Sequence, residues 1–261
     1  MAETLRVSLV QQPLAWQQAA ANRDHLDAVL APLAQNTDVI VLPEMFTTGF
    51  SMDVEQFAET AGGPTSDWLQ QKAIDLQAAI TGSVMTAEGG RFYNRMFWAE
   101  PDAPLRHYDK RHLFRMASED QSFTPGSNAL LVEWRGFRIC PLVCYDLRFP
   151  VFSRRRPGLE YDVLIYSANW PAPRRQAWQT LLKARAIENL SYVIGVNRVG
   201  TDGKNLPYLG DSVAHDFLGD TLVQLGSESA VVTVELDLPA LRAFRERFPA
   251  HLDADRFTLE S

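Results

Sequence analysis

Cysteine and lysine are scarce in this chain of 261 residues, and long apolar runs are missing from it. Two cysteines, Cys140 and Cys144, cannot form the disulfide framework of a small secreted domain. At this length roughly 75% of the unfolded surface can be buried, so the core needs no staple. Four lysines (Lys72, Lys110, Lys183 and Lys204) leave arginine to supply the other 21 of 25 basic residues. Acids outnumber bases, and the net charge of −7 argues against general nucleic-acid binding and against attraction to an anionic membrane. Apolar runs such as Val39–Pro43 and Ile139–Cys144 fall far short of a bilayer span. Met1-Ala-Glu-Thr-Leu-Arg6 has neither the basic patch nor the apolar stretch of a signal peptide, so a cytoplasmic location is expected.

Several chemistries lack their motifs. There is no Gly-x-x-x-x-Gly-Lys, no Gly-x-Gly-x-x-Gly and no Gly-x-Ser-x-Gly. His107 and His112 do not sit in a zinc pattern, and Cys140-x-x-x-Cys144 has no second ligand pair. No metal and no cofactor are expected. Arg154-Arg155-Arg156 before Pro157-Gly158 reads as cations at a helix C-terminus.

What is present is an alternation of strand-like and helix-like stretches without a linker, which means a layered α/β fold in one domain, 1–261. Leu5–Gln11, Val39–Leu42, Asp162–Asn169, Tyr192–Val196, Ser212–Leu225 and Ala230–Leu236 read as strands. Hairpins are expected around Glu88-Gly89-Gly90 and Arg135-Gly136, so the sheets should be mixed. Asn22–Leu33, a stretch opening at Pro64 with Ser66 as N-cap, Arg174–Leu190 and Pro239–Phe248 read as helices.

Three segments place a useful polar group after an apolar stretch: Val39-Ile-Val-Leu-Pro-Glu44, His107-Tyr-Asp-Lys110 and Arg138-Ile-Cys-Pro-Leu-Val-Cys144. Open α/β sheets tend to form their sites at the carboxyl ends of strands. A thiolate that attacks a carbonyl, a carboxylate that moves the proton and an ammonium that stabilises the oxyanion would make a nucleophilic site. A cation beside the thiol would lower its pKa. Each residue also has a plainer reading: Cys144 as an inert core thiol, Glu44 as a helix-start carboxylate, Lys110 as a solvated surface lysine. Spacing alone does not bring the three together.

Taken in order, these segments resemble the nitrilase superfamily of carbon–nitrogen hydrolases. The matching stretches are Leu42-Pro-Glu44-Met-Phe46, Tyr108-Asp-Lys110-Arg-His-Leu-Phe114 and Leu142-Val-Cys144-Tyr-Asp-Leu-Arg148-Phe-Pro150. Ser167-Ala-Asn-Trp-Pro171, Ala184-Arg-Ala-Ile-Glu-Asn189 and Val196-Asn-Arg-Val-Gly200 extend the likeness over nearly the whole chain. Within the superfamily, Glu44–Met52, His112–Met116 and Asn169–Arg174 resemble the bacterial omega-amidase branch.

That resemblance implies a four-layer α-β-β-α sandwich with mixed sheets, assembled as a homodimer or larger homo-oligomer. It implies hydrolysis of the terminal amide of small dicarboxylate monoamides such as 2-oxoglutaramate, with water the only other reactant. Cys144 would be the nucleophile and Glu44 the proton carrier. Lys110 and the backbone N–H of Tyr145 would hold the oxyanion. Glu119, before Pro125-Gly126, would position Lys110 or help with the proton. Arg148 and Arg115 are candidates to face the substrate carboxylate, and Phe46 and Trp170 to wall the pocket. An N-carbamoyl amino acid amidohydrolase or nitrilase is the alternative enzyme. A catalytically silent binding protein on the same fold is the alternative of another class. Cys140 should lie near the site without taking part, and Cys144, as a poised thiolate, should alkylate well before it.

Overall fold

The computed structural model of the chain describes residues 3–259. Two mixed β-sheets pack face to face, and helices cover both outer faces. The first sheet has seven strands, six of which run in the order Ala230–Asp237, Thr4–Gln11, Val39–Val41, Ala79–Glu88, Arg91–Glu100 and Ala103–Asp109. The short strand Glu59–Thr60 pairs with the edge of Ala79–Glu88. In the six-stranded second sheet the order is Thr221–Gln224, Val213–His215, Tyr192–Asn197, Val163–Ala168, Phe137–Val143 and Val132–Trp134.

Alternation within the strands explains the layers. Leu5, Val7 and Leu9, with Val39 and Val41, face the second sheet and join one core with Ile139, Val143, Ile165 and Ile194. Ile40 and Leu42 point the other way, onto Leu26, Leu30, Leu69, Ala73 and Leu76 of the helices Ala19–Leu30 and Pro64–Leu76. A strand buried on both faces needs the continuous apolar run seen at Val39–Leu42. On the far side Trp178, Leu182 and Ala186 of the helix Arg175–Asn189 cover the second sheet. Gly195 lies mid-strand because a Cβ there would come within 2.5 Å of Leu182 and 2.8 Å of Trp178. The order is therefore helix, sheet, sheet, helix, the four-layer α-β-β-α sandwich.

Both expected hairpins form, Ala79–Glu88 with Arg91–Glu100 and Val132–Trp134 with Phe137–Val143. Three details differ from expectation. Ser66 lies inside its helix and donates back to the Gly63 carbonyl (2.9 Å), while Gly63 takes the N-cap position before Pro64. Ser212–Leu225 divides into Val213–His215 and Thr221–Gln224 around a turn held by Asp216, whose side chain accepts from the N–H groups of Leu218 and Asp220. The helix before the arginine run is one turn, Pro150–Ser153, too short for a useful dipole. Arg154 instead reaches the end of the long helix and donates to the Glu188 carbonyl (2.8 Å). Among the described residues, no helix is long and apolar enough to cross a membrane.

Candidate active site

The three chemistry-bearing segments converge. Val39–Val41 and Phe137–Val143 belong to facing sheets, and both lead into a residue with left-handed backbone: Met45 (φ +40°) after Glu44, and Cys144 itself (φ +43°). Non-glycine residues hold such angles only where surrounding contacts fix them. Asp146 supplies much of that fixing at Cys144. Its carboxylate accepts from Val143 N (3.0 Å), the Tyr108 hydroxyl (2.8 Å), His112 N (3.1 Å) and His112 Nδ1 (2.7 Å). One buried carboxylate thereby ties the nucleophile turn to the loop that carries Lys110.

Lys110 follows the strand Ala103–Asp109 and is 1% exposed. Its Nζ donates to Glu44 Oε1 (2.8 Å) and to Glu119 Oε1 and Oε2 (2.9 Å each). Glu119 is fully buried, not a surface loop acid, and Phe114 N donates to it (2.6 Å). The Pro125-Gly126 turn lies directly against Lys110. Gly126 N donates to the Lys110 carbonyl (3.0 Å), and a Cβ at Gly126 would meet the Asp109 carbonyl oxygen at 2.1 Å. Glu44 is completed by Asn169 N, which donates to Oε2 (2.8 Å), and by Asn94 Nδ2, which donates to Oε1 (2.8 Å). Asn94 Nδ2 donates to Glu119 as well (3.0 Å), so one amide bridges the two carboxylates.

The electrostatics follow from this packing. Burial by itself would lower the Lys110 ammonium, but Glu119 and Glu44 outweigh it and hold the pKa above the usual lysine value. Burial raises the Glu119 carboxyl; Lys110 pulls it down and Glu44 pushes it up, leaving it above the usual carboxylate range. Cys144 departs from the sequence expectation. Its thiol is pushed well above the ordinary value, first by burial and then by the Glu44 charge, against which Lys110 is the smaller effect. The neighbouring cation is already shared by two carboxylates, which leaves it less able to stabilise a thiolate.

Cys144 and Lys110 line a cavity of about 110 Å³ together with Phe50, Phe114, Tyr145, Arg148, Asn169, Trp170 and Arg174. Tyr145 is the second residue of the short 3-10 turn Cys144–Arg148, where no carbonyl within the turn can take its N–H. Trp170 forms part of the wall as expected, and the Arg148 guanidinium lies 5.1 Å from its ring centroid. Two expected residues are elsewhere. Phe46 is wholly buried on the outer side of the first sheet, 5.8 Å from the Trp68 ring, because the chain turns back after Met45 to bond Ser83. Arg115 has a side chain 85% exposed and pairs with Asp120 outside this cavity (2.7 Å). Cys140 is fully buried on the face of the second sheet that the helix Arg175–Asn189 covers, and it does not line the cavity.

Asn94 and Arg174 escaped the sequence reading. An asparagine in the middle of a buried strand, where it fits poorly, was the available signal for the first. Among the described residues, no group of three or more His, Cys, Asp or Glu is placed to hold a metal ion.

A buried carboxylate, an ammonium and a thiol meet at the ends of two facing sheets, the set that a hydrolase built around a cysteine needs. The chain belongs to the carbon–nitrogen hydrolase family, whose profile matches residues 6–246. It is 49% identical over 259 residues to omega-amidase YafV of Yersinia enterocolitica, with 98% of this chain and 99% of the relative covered. To the 2-oxoglutaramate amidase of Bacillus subtilis it is 32% identical over 250 residues, covering 95% of this chain and 96% of the relative. Its fold superposes with a TM-score of 0.96 on XC1258 from Xanthomonas campestris, a CN-hydrolase superfamily protein crystallised with an arsenic adduct in its active site. That match is 49% identical and covers 99% of this chain and 100% of the other.

Proposed function

We propose that this protein is an omega-amidase-like amidohydrolase, which cleaves the terminal amide of a small dicarboxylate monoamide to the acid and ammonia. The observation that carries the reading is the buried contact of Lys110 with Glu44 and Glu119 behind Cys144, in a cavity that also holds an arginine.

The steps follow from proton positions. Cys144 holds its proton until substrate arrives. As its sulfur bonds to the amide carbon, Glu44 takes the proton. The C–N bond then breaks, and Glu44 returns the proton to the departing nitrogen, which leaves as ammonia. Water, deprotonated by Glu44, attacks the thioester; the C–S bond breaks and the thiol is restored. An ammonium has three donors. Lys110 meets Glu44 and both oxygens of Glu119, so a proton shared between the two Glu119 oxygens leaves one donor for the oxyanion beside the Tyr145 N–H. Glu119 acts through Lys110, as a positioning residue. Arg148, in the same cavity, supplies a cation for the distal carboxylate. Buried free thiols at Cys140 and Cys144 fit a reducing compartment such as the cytoplasm.

The test is ammonia release from 2-oxoglutaramate, an N-carbamoyl amino acid and an aliphatic nitrile side by side. Fastest turnover is expected for 2-oxoglutaramate, with an acyl adduct on Cys144 in the mass spectrum. Faster turnover of either other compound overturns the substrate class. Unchanged turnover in Cys144→Ala overturns the mechanism.

A further inference from the structure

The cavity holds more positive charge than a single carboxylate requires. Arg148 and Arg174 both line it, and both touch Trp170. Arg148 lies on the indole face, and the Trp170 indole N–H donates to the Arg174 carbonyl (2.8 Å). Arg174 N donates to the Pro171 carbonyl (3.0 Å) within the turn Ala172–Arg174, so its backbone is anchored at two points. Its guanidinium lies 5.0 Å from the Phe114 ring centroid, and Phe114 N is the donor to Glu119. The two arginines are therefore tied through short, rigid links to the same catalytic cluster.

Neither guanidinium has a carboxylate partner among the described residues. The acceptor found for Arg174 is the Met116 sulfur (2.7 Å), a weak one for a charged donor. Its sequence neighbour shows the contrast: Arg175 is satisfied by two bonds to Asp211, at 2.6 and 2.7 Å. The cavity's acid, Asp202, is already committed to Lys204 N (2.8 Å), Leu206 N (2.9 Å) and the Tyr208 hydroxyl (3.0 Å).

We infer that Arg174 is a specificity-determining residue, forming with Arg148 a two-guanidinium clamp for a carboxylate that carries an adjacent 2-oxo group. A plain carboxylate presents its oxygens at one carbon and is satisfied by one bidentate arginine. A 2-oxo acid adds a third oxygen on the next carbon, in the plane of the first two, and that edge calls for a second donor fork. Contact with the Phe114 and Trp170 rings holds both planar forks in place and limits the rotamer entropy lost on binding. The inference rests on the amidase reading and narrows it to the 2-oxo class.

The experiment compares kcat/KM for 2-oxoglutaramate, for glutaramate (the same chain without the oxo group) and for butyramide (neither group), in the parent and in Arg174→Gln, Arg174→Lys and Arg148→Gln. Loss of a charged hydrogen bond corresponds to about 10- to 100-fold. Arg174→Gln is expected to lower the 2-oxoglutaramate to glutaramate ratio by about that factor, mainly through KM, and Arg174→Lys to restore only part of it. Arg148→Gln is expected to lower both carboxylates relative to butyramide. An equal proportional loss on all three substrates in Arg174→Gln would mean a structural wall and overturns the clamp. So does an unchanged ratio. If the parent itself turns over butyramide but neither carboxylate, the omega-amide reading falls, and the clamp with it.

Discussion

The strand Val163–Ala168 has a buried ionic cluster just beyond each end, and the two are charge inverses. Before it stands Asp162, one carboxylate among several arginines. It accepts from Arg138 N (3.0 Å), Nε (3.3 Å) and Nη2 (3.2 Å) and from Arg245 Nη1 (2.6 Å). Arg245 gives its remaining protons to the Leu190 and Tyr161 carbonyls and the Ser191 hydroxyl, at 2.8–2.9 Å. After the strand, Asn169 opens the other cluster, one ammonium between two carboxylates. At the cation-rich end each oxygen of Asp162 already accepts two bonds, which suits it to holding elements together. The anion-rich end has one carboxylate more than its cation neutralises. Imbalance, more than burial, separates the end proposed as reactive from the structural one.

The pKa directions follow the same division. At Asp162 burial pushes the carboxyl up, yet Arg138 and Arg245 overcome it and hold it below the usual range. Arg245 is lowered to about 10, by burial and then by the charge of Arg155. At the other end Glu119 rises instead of falling: burial lifts it, Lys110 pulls it down, and the Glu44 charge adds to the rise.

The largest effect should come from the reactive end. Glu44→Gln keeps the shape and removes the proton acceptor, and a general base is worth roughly 10²- to 10⁴-fold. Turnover is expected to fall by that factor with unfolding midpoints little changed. A loss of stability with turnover per folded molecule retained would reverse the comparison.

Asp162→Ala is the converse. It leaves Arg245 as a buried unpaired charge, and breaking such a pair costs about 3–5 kcal/mol. Denaturant unfolding should show that loss, while kcat of the folded fraction stays close to the parent's. The pH dependence has a definite sign. The folded pKa of Asp162 is lowered, so its stabilisation is fully present above the ordinary carboxylate pKa. It is lost as pH falls from there through the folded value. In Asp162→Ala that acid-side loss should shrink. A fall in kcat without a fall in stability would place Asp162 with the chemistry.

Much of this contrast was legible in sequence, and the reason lies in which interactions are local. Apolar alternation gave Leu5–Gln11 and the hairpins, since register on a half-buried strand depends on neighbours two apart. The resemblance brought Glu44, Lys110, Cys144 and Glu119 forward as a set, and all four meet. Phe46 and Arg115 were misplaced because adjacency to a site residue does not fix direction. The left-handed turn at Met45 sends Phe46 to the outer helices, and Arg115 leaves with Asp120. The proton state of Cys144 was misjudged for another reason. One cation in the sequence implied a thiolate, but the net charge around the sulfur depends on how many carboxylates reach that cation in space. No spacing rule counts them.

The smallest expected effect tests that count directly. Alkylation by iodoacetamide requires thiolate. With the Cys144 pKa well above its usual value, the labelling rate should rise about tenfold per pH unit from neutrality past the ordinary thiol pKa of about 8.5, without levelling. Cys140, fully buried and also raised by burial, should label only on unfolding. A plateau at or below pH 7 would mean a poised thiolate and would remove the distinction drawn between the two clusters. Glu44→Gln sharpens the point, because it deletes the negative charge that raises the thiol after burial. Burial remains the larger cause, so labelling at neutral pH should quicken only modestly, by up to about tenfold for one unit of pKa. One substitution would then slow turnover and speed alkylation. That opposition arises only if Glu44 holds the proton on the sulfur in the free enzyme and removes it during attack.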